Sequence, residues 1–402
     1  MAEPLPTLDY DPYAYETHED PYPVYRRLRD EDPVHRNERL GFWALSRYHD
    51  VLDAFRDSAR FSNRHGVSLD PDAFHEHAHA NSSFLAMDPP RQTRMRGLVS
   101  RGFTPRRVNA LEPRVREIAR EHIKEFAGAG RCDFVADFAG KLPMDVISEL
   151  IGVPREDRAE LRTWADLVVH RDEGATGVPP AAVESALKMV GYFKEMIAER
   201  RKRPGDDLTA ALLVAELDGD RLSEREIIGF LFLMAIAGNE TTTKLLANAI
   251  YWLWRHPGER DRVRADPALI PRWVEETLRF DNSTQALARL VTEDVELHGC
   301  KLRAGDKAVL LVGSANRDER IFPDPDCYDL LRDTSASLSF GQGNHFCLGA
   351  ALARLEGRVA LEEIQRRIPD YEVASSGIVR VHSVNVRGFA ALPIEFPEAS
   401  TE

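Results

Sequence analysis

A long helical pattern, apolar on every side in its first half, is the feature that most limits how this chain can fold. The pattern opens with a capping box, in which Ser223 is the N-cap and Glu226 follows three residues later, and it reaches His256. A helix that is apolar all round is normally buried in the centre of a large protein. The 402 residues, 43% of them hydrophobic, are sufficient for a large core around it. We therefore predict that residues 223–256 cross the centre of the molecule.

Polar residues interrupt this apolar pattern near its middle, where residues 237–242 read AGNETT. Burying an acid and two hydroxyl groups there is costly unless they are hydrogen-bonded or hydrated. A solvent-facing turn, or hydroxyl groups bonded to the preceding helical turn, would explain them without any function. On the helix alone, the structural and the functional interpretation are about equally supported.

A glycine-rich loop around Cys347 is the most specific motif of the chain. Residues 340–349 read FGQGNHFCLG, and the apolar helical pattern AALAR follows directly. Glycine allows sharp turns and close approach of the backbone to a flat ligand. A cysteine just before a helix is favoured as an anionic thiolate by the unpaired N–H groups at the helix start. Cys347 is therefore a candidate metal ligand, and the loop alone leaves zinc open as the metal.

This loop resembles, at every specified position, the haem-thiolate loop of the cytochrome P450 family, with Cys347 as the iron ligand. The resemblance implies that haem b (iron protoporphyrin IX) is the cofactor. It also implies that the cofactor is bound by further residues of the loop, namely Phe340, Gly341, Gly343, His345 and Gly349.

The resemblance extends over about residues 11–396, with the main motifs in the family order. It implies a mainly α fold with a small β portion, in which a single triangular-prism-like domain has a long central helix over the haem. We expect this domain to span residues 21–402. The prolines of residues 1–20 predict an extended N-terminal arm before it.

Beside this loop, the polar residues of the long helix resemble the oxygen-binding motif of the family. In that motif the threonine hydroxyl disrupts the helix locally. The resemblance implies that Thr241 bonds the iron-bound oxygen or its water and that Glu240 connects the site to bulk protons. It also implies that Ala237 and Gly238 clear space above the haem.

The two haem propionates require hydrogen-bond donors. Gln92 and Arg96 are spaced i,i+4 and so share a helix face. The resemblance implies that both contact a propionate, together with Arg289 and His345. Arg96 is the stronger candidate of the first two, because Gln92 carries no charge.

Three charged residues resemble a structural network of the family. Glu276 and Arg279 are spaced i,i+3 on one predicted helix, and the resemblance implies a buried network with Arg332 that fixes the cysteine loop. Residues 281–285, which follow this helix, lack the proline that the family usually has, so the path of that substrate-facing segment stays open.

The resemblance also gives candidate pocket residues. The candidates are Leu85, Leu233, Met234, Ala286, Leu287 and Phe389. The turn 385–389 and the loops 61–86 and 168–180 are expected to line the pocket as well. Residues 172–180 of the second loop are predicted to be mobile. A mostly apolar cavity of this kind suits fatty acids, terpenoids, steroids, polyketides or aromatic compounds.

The resemblance implies a bacterial-type monooxygenase that uses O2 as co-substrate. We expect its electrons to come from NAD(P)H through a separate ferredoxin and ferredoxin reductase, because no flavin or iron–sulfur domain is evident. A basic cluster with Arg94 and Arg101 is a candidate docking patch for the acidic donor, although a solvated face would explain it equally well. A peroxide-driven peroxygenase and a haem-thiolate binding or sensing protein remain the alternatives.

Composition limits the other function classes. The formal net charge of −13 argues against general nucleic-acid binding, and the longest apolar run, residues 227–238, is too short to span a bilayer. Residues 1–20 lack the basic start and apolar centre of a signal peptide. We therefore expect a soluble, cytoplasmic monomer with reduced cysteines, without nucleic-acid or membrane partners.

Two further groups could suggest a zinc site. His75 and His79 have the spacing of a helical metal pair, but they lie in the loop 61–86, which we interpret as structural or substrate-facing. The second group lacks a Cys-x-x-Cys pairing, and we interpret its cysteines as small buried residues. Its members are Cys132, Cys300, Cys327 and His298.

Overall fold

The computed structural model describes residues 8–169, 178–217 and 219–398. Its helices are α1 (Tyr15–Glu19), α2 (Tyr22–Glu31), α3 (Tyr48–Arg56), α4 (His79–Ser82), α5 (Arg91–Val99), α6 (Pro105–Ala110), α7 (Glu112–Phe126), α8 (Leu142–Ile151), α9 (Arg158–Val169), α10 (Pro180–Lys202), α11 (Leu208–Val214), α12 (Glu224–Arg255), α13 (Pro257–Ala265), α14 (Ile270–Phe280), α15 (Val312–Ala315) and α16 (Ala350–Arg367).

The strands are short. They are β1 (Val34–Asn37), β2 (Phe42–Leu45), β3 (Phe61–Ser62), β4 (Arg131–Asp133), β5 (Glu216–Leu217), β6 (Asp220–Arg221), β7 (Ala286–Val291), β8 (Val295–Leu297), β9 (Cys300–Leu302), β10 (Lys307–Leu311), β11 (Glu372–Val373), β12 (Val379–Arg380), β13 (Phe389–Ala391) and β14 (Pro393–Glu395). The predicted class, mainly α with a small β portion, is therefore confirmed.

The long helix α12 forms where the sequence predicted it. The hydroxyl of Ser223 accepts a hydrogen bond from the N–H of Glu226, and the Glu226 carboxylate accepts one from the N–H of Ser223, so the capping box is complete. The helix has 32 residues and packs against α8, α10, α14 and α16. Its apolar first half is thereby buried from several sides, as a helix without a polar face requires.

A five-stranded sheet of order β1-β2-β10-β7-β3 lies beside these helices. Strand β10 pairs with β2 in parallel and with β7 antiparallel, in a register that places Ala308 opposite Arg289. Strand β7 is an inner strand: it pairs with β10 along its length, including Arg289, and with β3 at Leu290 and Val291. A separate three-stranded sheet joins β4 to the chain end in the order β11-β14-β4.

The predicted extended arm is only partly extended. Helix α1 begins after Ala14, whose carbonyl accepts hydrogen bonds from the N–H groups of Thr17 and His18. Tyr10 is buried, with its ring 5.9 Å from that of Tyr25 and 6.1 Å from that of Phe42. Aromatic packing therefore makes Leu8, Tyr10 and Tyr13 part of a core cluster, and the prediction of an arm merely laid on the surface is wrong.

Some predictions fall on residues that the structure does not describe. Residues 172–177 of the predicted mobile loop, and 170–177 of the predicted loop 168–180, lie outside the described residues. The single domain over residues 21–402 stays a prediction. Among residues 8–169, 178–217 and 219–398, no helix combines the length and the apolar character needed to cross a membrane.

Candidate active site

Two glycines determine the shape of the loop before α16. Gly341 and Gly343 have φ angles of +67° and +68°, a region that side chains rarely adopt. A Cβ atom on Gly343 would lie only 2.8 Å from the backbone oxygen of Phe55, so α3 leaves no room for a larger residue. The N–H of Cys347 donates to the carbonyl of Phe340 at 2.8 Å and closes the loop.

The thiol of Cys347 faces a space enclosed by the protein. The residue is exposed by surface area, yet burial is the main cause that raises the pKa of its thiol. Together these two observations indicate that the sulfur opens into a hollow surrounded by protein. Hydrogen bonds from the backbone of Gly349 and Ala350, and the charge of Arg96, act to lower this pKa. A Cβ added at Gly349 would meet no atom within 4 Å, which indicates the same open space.

Three cationic or potentially cationic side chains lie close together beside this hollow. Arg289 is 2% exposed, and burial lowers its pKa to about 10, opposed by the charge of Asp88. Burial and then the charges of Arg289 and Arg96 lower the pKa of His345 to about 3. Both ring nitrogens of His345 are buried without a hydrogen-bond partner. Burying such groups side by side is unfavourable unless an anion is bound among them.

The residues present therefore fit a dianionic haem. A thiol would bind the iron, and Arg96, Arg289 and His345 would bind propionate oxygens. Burial also lowers the pKa of Arg96, and the thiolate of Cys347 acts in the opposite direction. The guanidinium group of Arg289 donates to the carbonyl of Ala288 at 2.8 Å and has further N–H groups to offer.

Gln92 has a contact that was not predicted. Its side chain is buried, and its Nε2 donates to the carbonyl of Asn344 at 2.6 Å. The bond uses one of the two N–H groups of the amide, so the predicted contact of Gln92 with a propionate stays a prediction. Gln92 ties α5 to the loop that carries Cys347.

The polar segment of α12 is less buried than the helix around it. Ala237, Gly238 and Thr241 are half-buried, although the residues of α12 around them are mostly buried. The hydroxyl of Thr241 donates to the carbonyl of Ala237 at 3.0 Å, one helical turn earlier. The helix is continuous through this point, so the predicted local disruption is wrong: the hydroxyl bonds alongside the helix.

Gly238 does not clear space above the cysteine. A Cβ on this residue would contact the side chain of Ile147 in α8 at 3.6 Å, an ordinary van der Waals distance. The predicted role of Gly238 is therefore contradicted, because the side-chain direction at this position is toward α8. The role of Ala237 stays a prediction.

Only part of the predicted pocket faces open space. Leu85 and Leu287 are half-buried, whereas Leu233 and Met234 are buried. The other two predictions are wrong, because their side chains pack in the core: Ala286 is 2% exposed, and the fully buried ring of Phe389 lies between Tyr251 and Arg380.

Glu276, Arg279 and Arg332 come together as the family resemblance implied. The Glu276 carboxylate accepts two bonds from Arg279, at 2.7 and 2.8 Å, and lies 3.4 Å from the Nε of Arg332. The two arginines also donate to the carbonyls of Pro325 and Cys327. The segment that leads to the cysteine loop is thereby bonded to α14; the role of this network in fixing the loop stays a prediction.

The segment 281–285 is fixed by polar contacts in place of a proline. One oxygen of the buried Asp281 carboxylate accepts bonds from Tyr22 and Arg387, both at 2.6 Å, and the other accepts one from Trp252 at 2.7 Å. Burial acts to raise the pKa of Asp281, but the guanidinium groups of Arg387 and Arg380 hold it well below its usual range. The sequence contained no local signal for this network, since its members are far apart in the chain.

Arg94 is not free to bind a partner protein. Its guanidinium group pairs with Asp220 of the β5–β6 hairpin and, at 2.7 Å, with Glu226 at the start of α12. The prediction that Arg94 offers its charge to an electron donor is therefore contradicted. Arg101, Arg106 and Arg107 are exposed.

The histidines and cysteines set aside as zinc candidates are dispersed. His298 pairs with Asp50 at 2.9 Å, and the thiol of Cys300 lies 3.7 Å from the carbonyl of Val34. Cys132 is buried, but Cys327 is exposed, so the interpretation of Cys327 as a buried residue is wrong. In the part of the chain that the structure describes, no three His, Cys, Asp or Glu side chains are grouped to hold a metal ion.

Comparisons with known proteins agree on one family. The family model described as cytochrome P450 matches residues 181–368. The chain is 59% identical over 390 residues, 97% of each chain, to "Putative cytochrome P450 123" of Mycobacterium tuberculosis. It is 40% identical to cytochrome P450 monooxygenase PikC of Streptomyces venezuelae, over 97% of this chain and 94% of the relative. The solved structure of cytochrome P450 CYP109Q5 from Chondromyces apiculatus superposes with a TM-score of 0.89 at 37% identity, covering 98% of this chain and 99% of the other.

Proposed function

The chain belongs to the cytochrome P450 family and is an oxidoreductase, and we propose that it inserts one oxygen atom from O2 into a small, largely apolar organic substrate, by hydroxylation or epoxidation. The observation that supports this proposal best is the hollow in front of Cys347, with Arg96, Arg289 and His345 beside it. Among the described residues neither arginine forms an ion pair, and Asp88 acts on Arg289 only through its charge. A haem with two propionates supplies both the metal for the thiolate and the anions for the cations.

Each residue of the site has a defined part in this proposal. Cys347 would bind the iron as a thiolate, and Arg96, Arg289 and His345 would bind the propionates. When bound, the haem supplies the activation of O2, and thiolate ligation favours cleavage of the O–O bond. The protein orients the substrate and controls the access of water.

Thr241 and Glu240 are proposed to transfer protons from water to the site. The Oγ1 of the half-buried Thr241 holds a proton that its bond to Ala237 keeps in a defined direction. The Glu240 side chain is 20% exposed, so it can exchange protons with water and pass them toward Thr241. A binding or sensing protein has no use for such a pair.

Electrons are proposed to come from NAD(P)H through a ferredoxin and its reductase. The exposed cations Arg101, Arg106 and Arg107 offer a positive surface for an acidic donor, whereas Arg94 is occupied by its ion pairs. The proposed docking patch is therefore the predicted basic cluster without Arg94.

The haem ligand is tested by a spectrum. The reduced protein with carbon monoxide should show the long-wavelength Soret band of a thiolate-ligated haem, and Cys347→Ser should abolish that band. Cys327→Ser, at an exposed cysteine, is the matched control and should leave the band intact. A band that persists in Cys347→Ser would overturn the ligand assignment.

The reaction is tested by turnover with a compound found by screening. Fatty acids, terpenoids, steroids, polyketides and aromatic compounds are screened for a low-to-high-spin shift of the Soret band. The best compound is then incubated with O2, NAD(P)H, ferredoxin and reductase, or with hydrogen peroxide alone. Product formed only with the first mixture supports the monooxygenase. Product formed only with peroxide identifies a peroxygenase, and a haem protein that forms no product with either mixture identifies a binding or sensing protein.

Thr241→Ala tests the proton role within this reaction. The variant should consume NAD(P)H at a rate close to that of the unsubstituted protein but divert the electrons to hydrogen peroxide, with product per NAD(P)H lowered roughly 10-fold or more. Product and peroxide are both quantified against NAD(P)H consumed. An unchanged product yield would contradict the role of Thr241.

A further inference from the structure

Lys244 is a buried cation on the central helix that was not predicted from the sequence to belong to the site. It lies one helical turn after Glu240, and its Nζ is 3.2 Å from the Oε1 of that residue. Only 7% of its side chain is exposed. An ammonium group is costly to bury unless it is paired and hydrogen-bonded, so these contacts decide where Lys244 can lie.

The second contact of Lys244 is with the turn 385–389. Its Nζ donates to the carbonyl of Phe389 at 3.2 Å. Gly388 packs directly on the aliphatic part of the lysine: a Cβ at Gly388 would lie 2.6 Å from the Cβ of Lys244 and 2.8 Å from its Cγ and Cδ. The turn therefore approaches the helix so closely at this point that only glycine fits, and the lysine stem is held along its length.

Neighbouring contacts join the same helix face to the same segments. The hydroxyl of Ser283 donates to the carbonyl of Thr241 at 2.7 Å, and the N–H of Arg387 donates to the carbonyl of Ser283 at 2.8 Å. One turn after Lys244, the amide of Asn248 donates to the carbonyl of Asp281 at 2.7 Å. Thr241, Lys244 and Asn248 lie at i, i+3 and i+7 and thus on one side of α12.

Helix α9 contributes a further charged group, Asp166, to the surroundings of Glu240. Asp166 in α9 is exposed by surface area although many protein atoms surround it. This partial burial and the Glu240 carboxylate raise the pKa of Asp166, while Arg162 and Lys244 act to lower it. The Asp166 carboxyl therefore repels the Glu240 carboxylate, and the ammonium group of Lys244 attracts it. Lys244 is the group in direct contact.

We propose that Lys244 is a positioning residue that ties Glu240 to the turn 385–389, so that a displacement of the turn displaces the acid. The proposal rests on the proposed monooxygenase function, in which Glu240 conducts protons. Phe389, predicted to contact substrate with its ring, contributes its carbonyl to this link instead.

The experiment compares four variants of the haem-loaded protein: Lys244→Met, Glu240→Gln, the double variant of these two, and Thr243→Val. Methionine keeps the unbranched stem and removes the charge. Thr243→Val is the matched control, because its hydroxyl bonds the carbonyls of Ala139 and Asn239, away from the turn. The carbon monoxide spectrum of each variant establishes that haem is bound and the fold intact.

The first readout is amide hydrogen exchange in the peptide that covers residues 385–391, which needs no turnover. Lys244→Met should accelerate this exchange, on the order of 10-fold, because one bond and the packing of the turn are loosened. Glu240→Gln and Thr243→Val should leave it unchanged, since the bond from Lys244 to Phe389 persists in both. Unchanged exchange in Lys244→Met would overturn the proposal.

The second readout is product per NAD(P)H with the compound selected by the screen. Lys244→Met should lower this ratio by roughly 3-fold or more, and the double variant should be no worse than Glu240→Gln alone, because Lys244 acts through Glu240. Two losses that multiply in the double variant would overturn the proposal. If the unsubstituted protein forms no product with O2 and NAD(P)H, the proposed function fails, and hydrogen exchange still decides whether Lys244 holds the turn.

Discussion

Two clusters of charged side chains in this molecule are satisfied in opposite ways. Between α7 and α16, the buried carboxylate of Glu363 accepts hydrogen bonds from Arg116 at 2.9 Å, Arg120 at 3.0 Å and Arg366 at 2.7 Å. Burial acts to raise the pKa of this carboxyl, but the three guanidinium groups lower it to about 2. Every charge of this cluster has its partner within the chain.

Beside Cys347 the balance is different. Arg96, Arg289 and His345 lie together, burial lowers the pKa of each, and both ring nitrogens of His345 lack a partner. A protein that leaves buried donors unpaired loses stability, unless a ligand completes them. The comparison teaches that charged side chains paired with each other hold two helices together. Charged side chains without a partner instead indicate where a ligand binds and that the ligand has the opposite charge.

The largest effect is expected at Arg289. Arg289→Met should weaken haem binding on the order of 100-fold, because a charge-assisted bond to a propionate is lost. The free energy of unfolding of the haem-free protein should stay equal or rise, since an unpaired buried cation is removed. Haem affinity is measured by titration of the haem-free protein, and unfolding by denaturant.

Arg116→Met is the matched control for Arg289→Met. It should leave haem affinity unchanged and lower the free energy of unfolding, because Glu363 loses one of its partners. If the two arginine variants behaved alike in both measurements, the distinction between the clusters would fail.

A smaller effect, on stability alone, is expected at Glu363. Glu363→Gln should lower the free energy of unfolding by about 2 kcal/mol at pH 7, through the loss of charge-assisted bonds. Because the folded pKa is lowered, the contribution of Glu363 is complete above its unfolded pKa of about 4.3 and is lost as the pH falls toward 2. The variant should therefore show a flatter fall of stability between about pH 5 and pH 2.

Denaturant unfolding at a series of pH values measures that slope, with Glu362→Gln as a control at a more exposed neighbour. Haem affinity at pH 7 should not change in Glu363→Gln. A slope identical to that of the unsubstituted protein would show that the three arginines do not act on this carboxyl.

The sequence was informative where the pattern is local. The ends of α12 were predicted within one residue, because a capping box and an uninterrupted apolar run both lie in the segment itself. Helix α13 was not predicted, since its residues PGERDRVRA are mainly charged and have almost no apolar face to detect. Local periodicity therefore identified α12, which buries a large apolar surface.

Contacts between distant segments could not be predicted in this way. Arg94 and Arg96 are two residues apart and look equivalent in the sequence, yet one is paired with Asp220 and Glu226 while the other faces Cys347. The ring of Phe389 and the direction of Gly238 likewise depend on which helix packs beside them. Residue types identified the cofactor site, and packing decided which side chains reach it.

The smallest effect is expected on the surface, where Arg101 is exposed and Arg94 is paired with two carboxylates. Arg101→Gln should slow reduction by ferredoxin several-fold at low salt and hardly at all at high salt, because exposed charges steer an acidic partner only when they are weakly screened. Arg94→Gln should leave the rate and its salt dependence unchanged, since its charge is already neutralised by two carboxylates. Stopped-flow reduction at several ionic strengths measures both. A salt-dependent loss at Arg94 equal to that at Arg101 would mean that an internal ion pair does not remove an arginine from the docking surface.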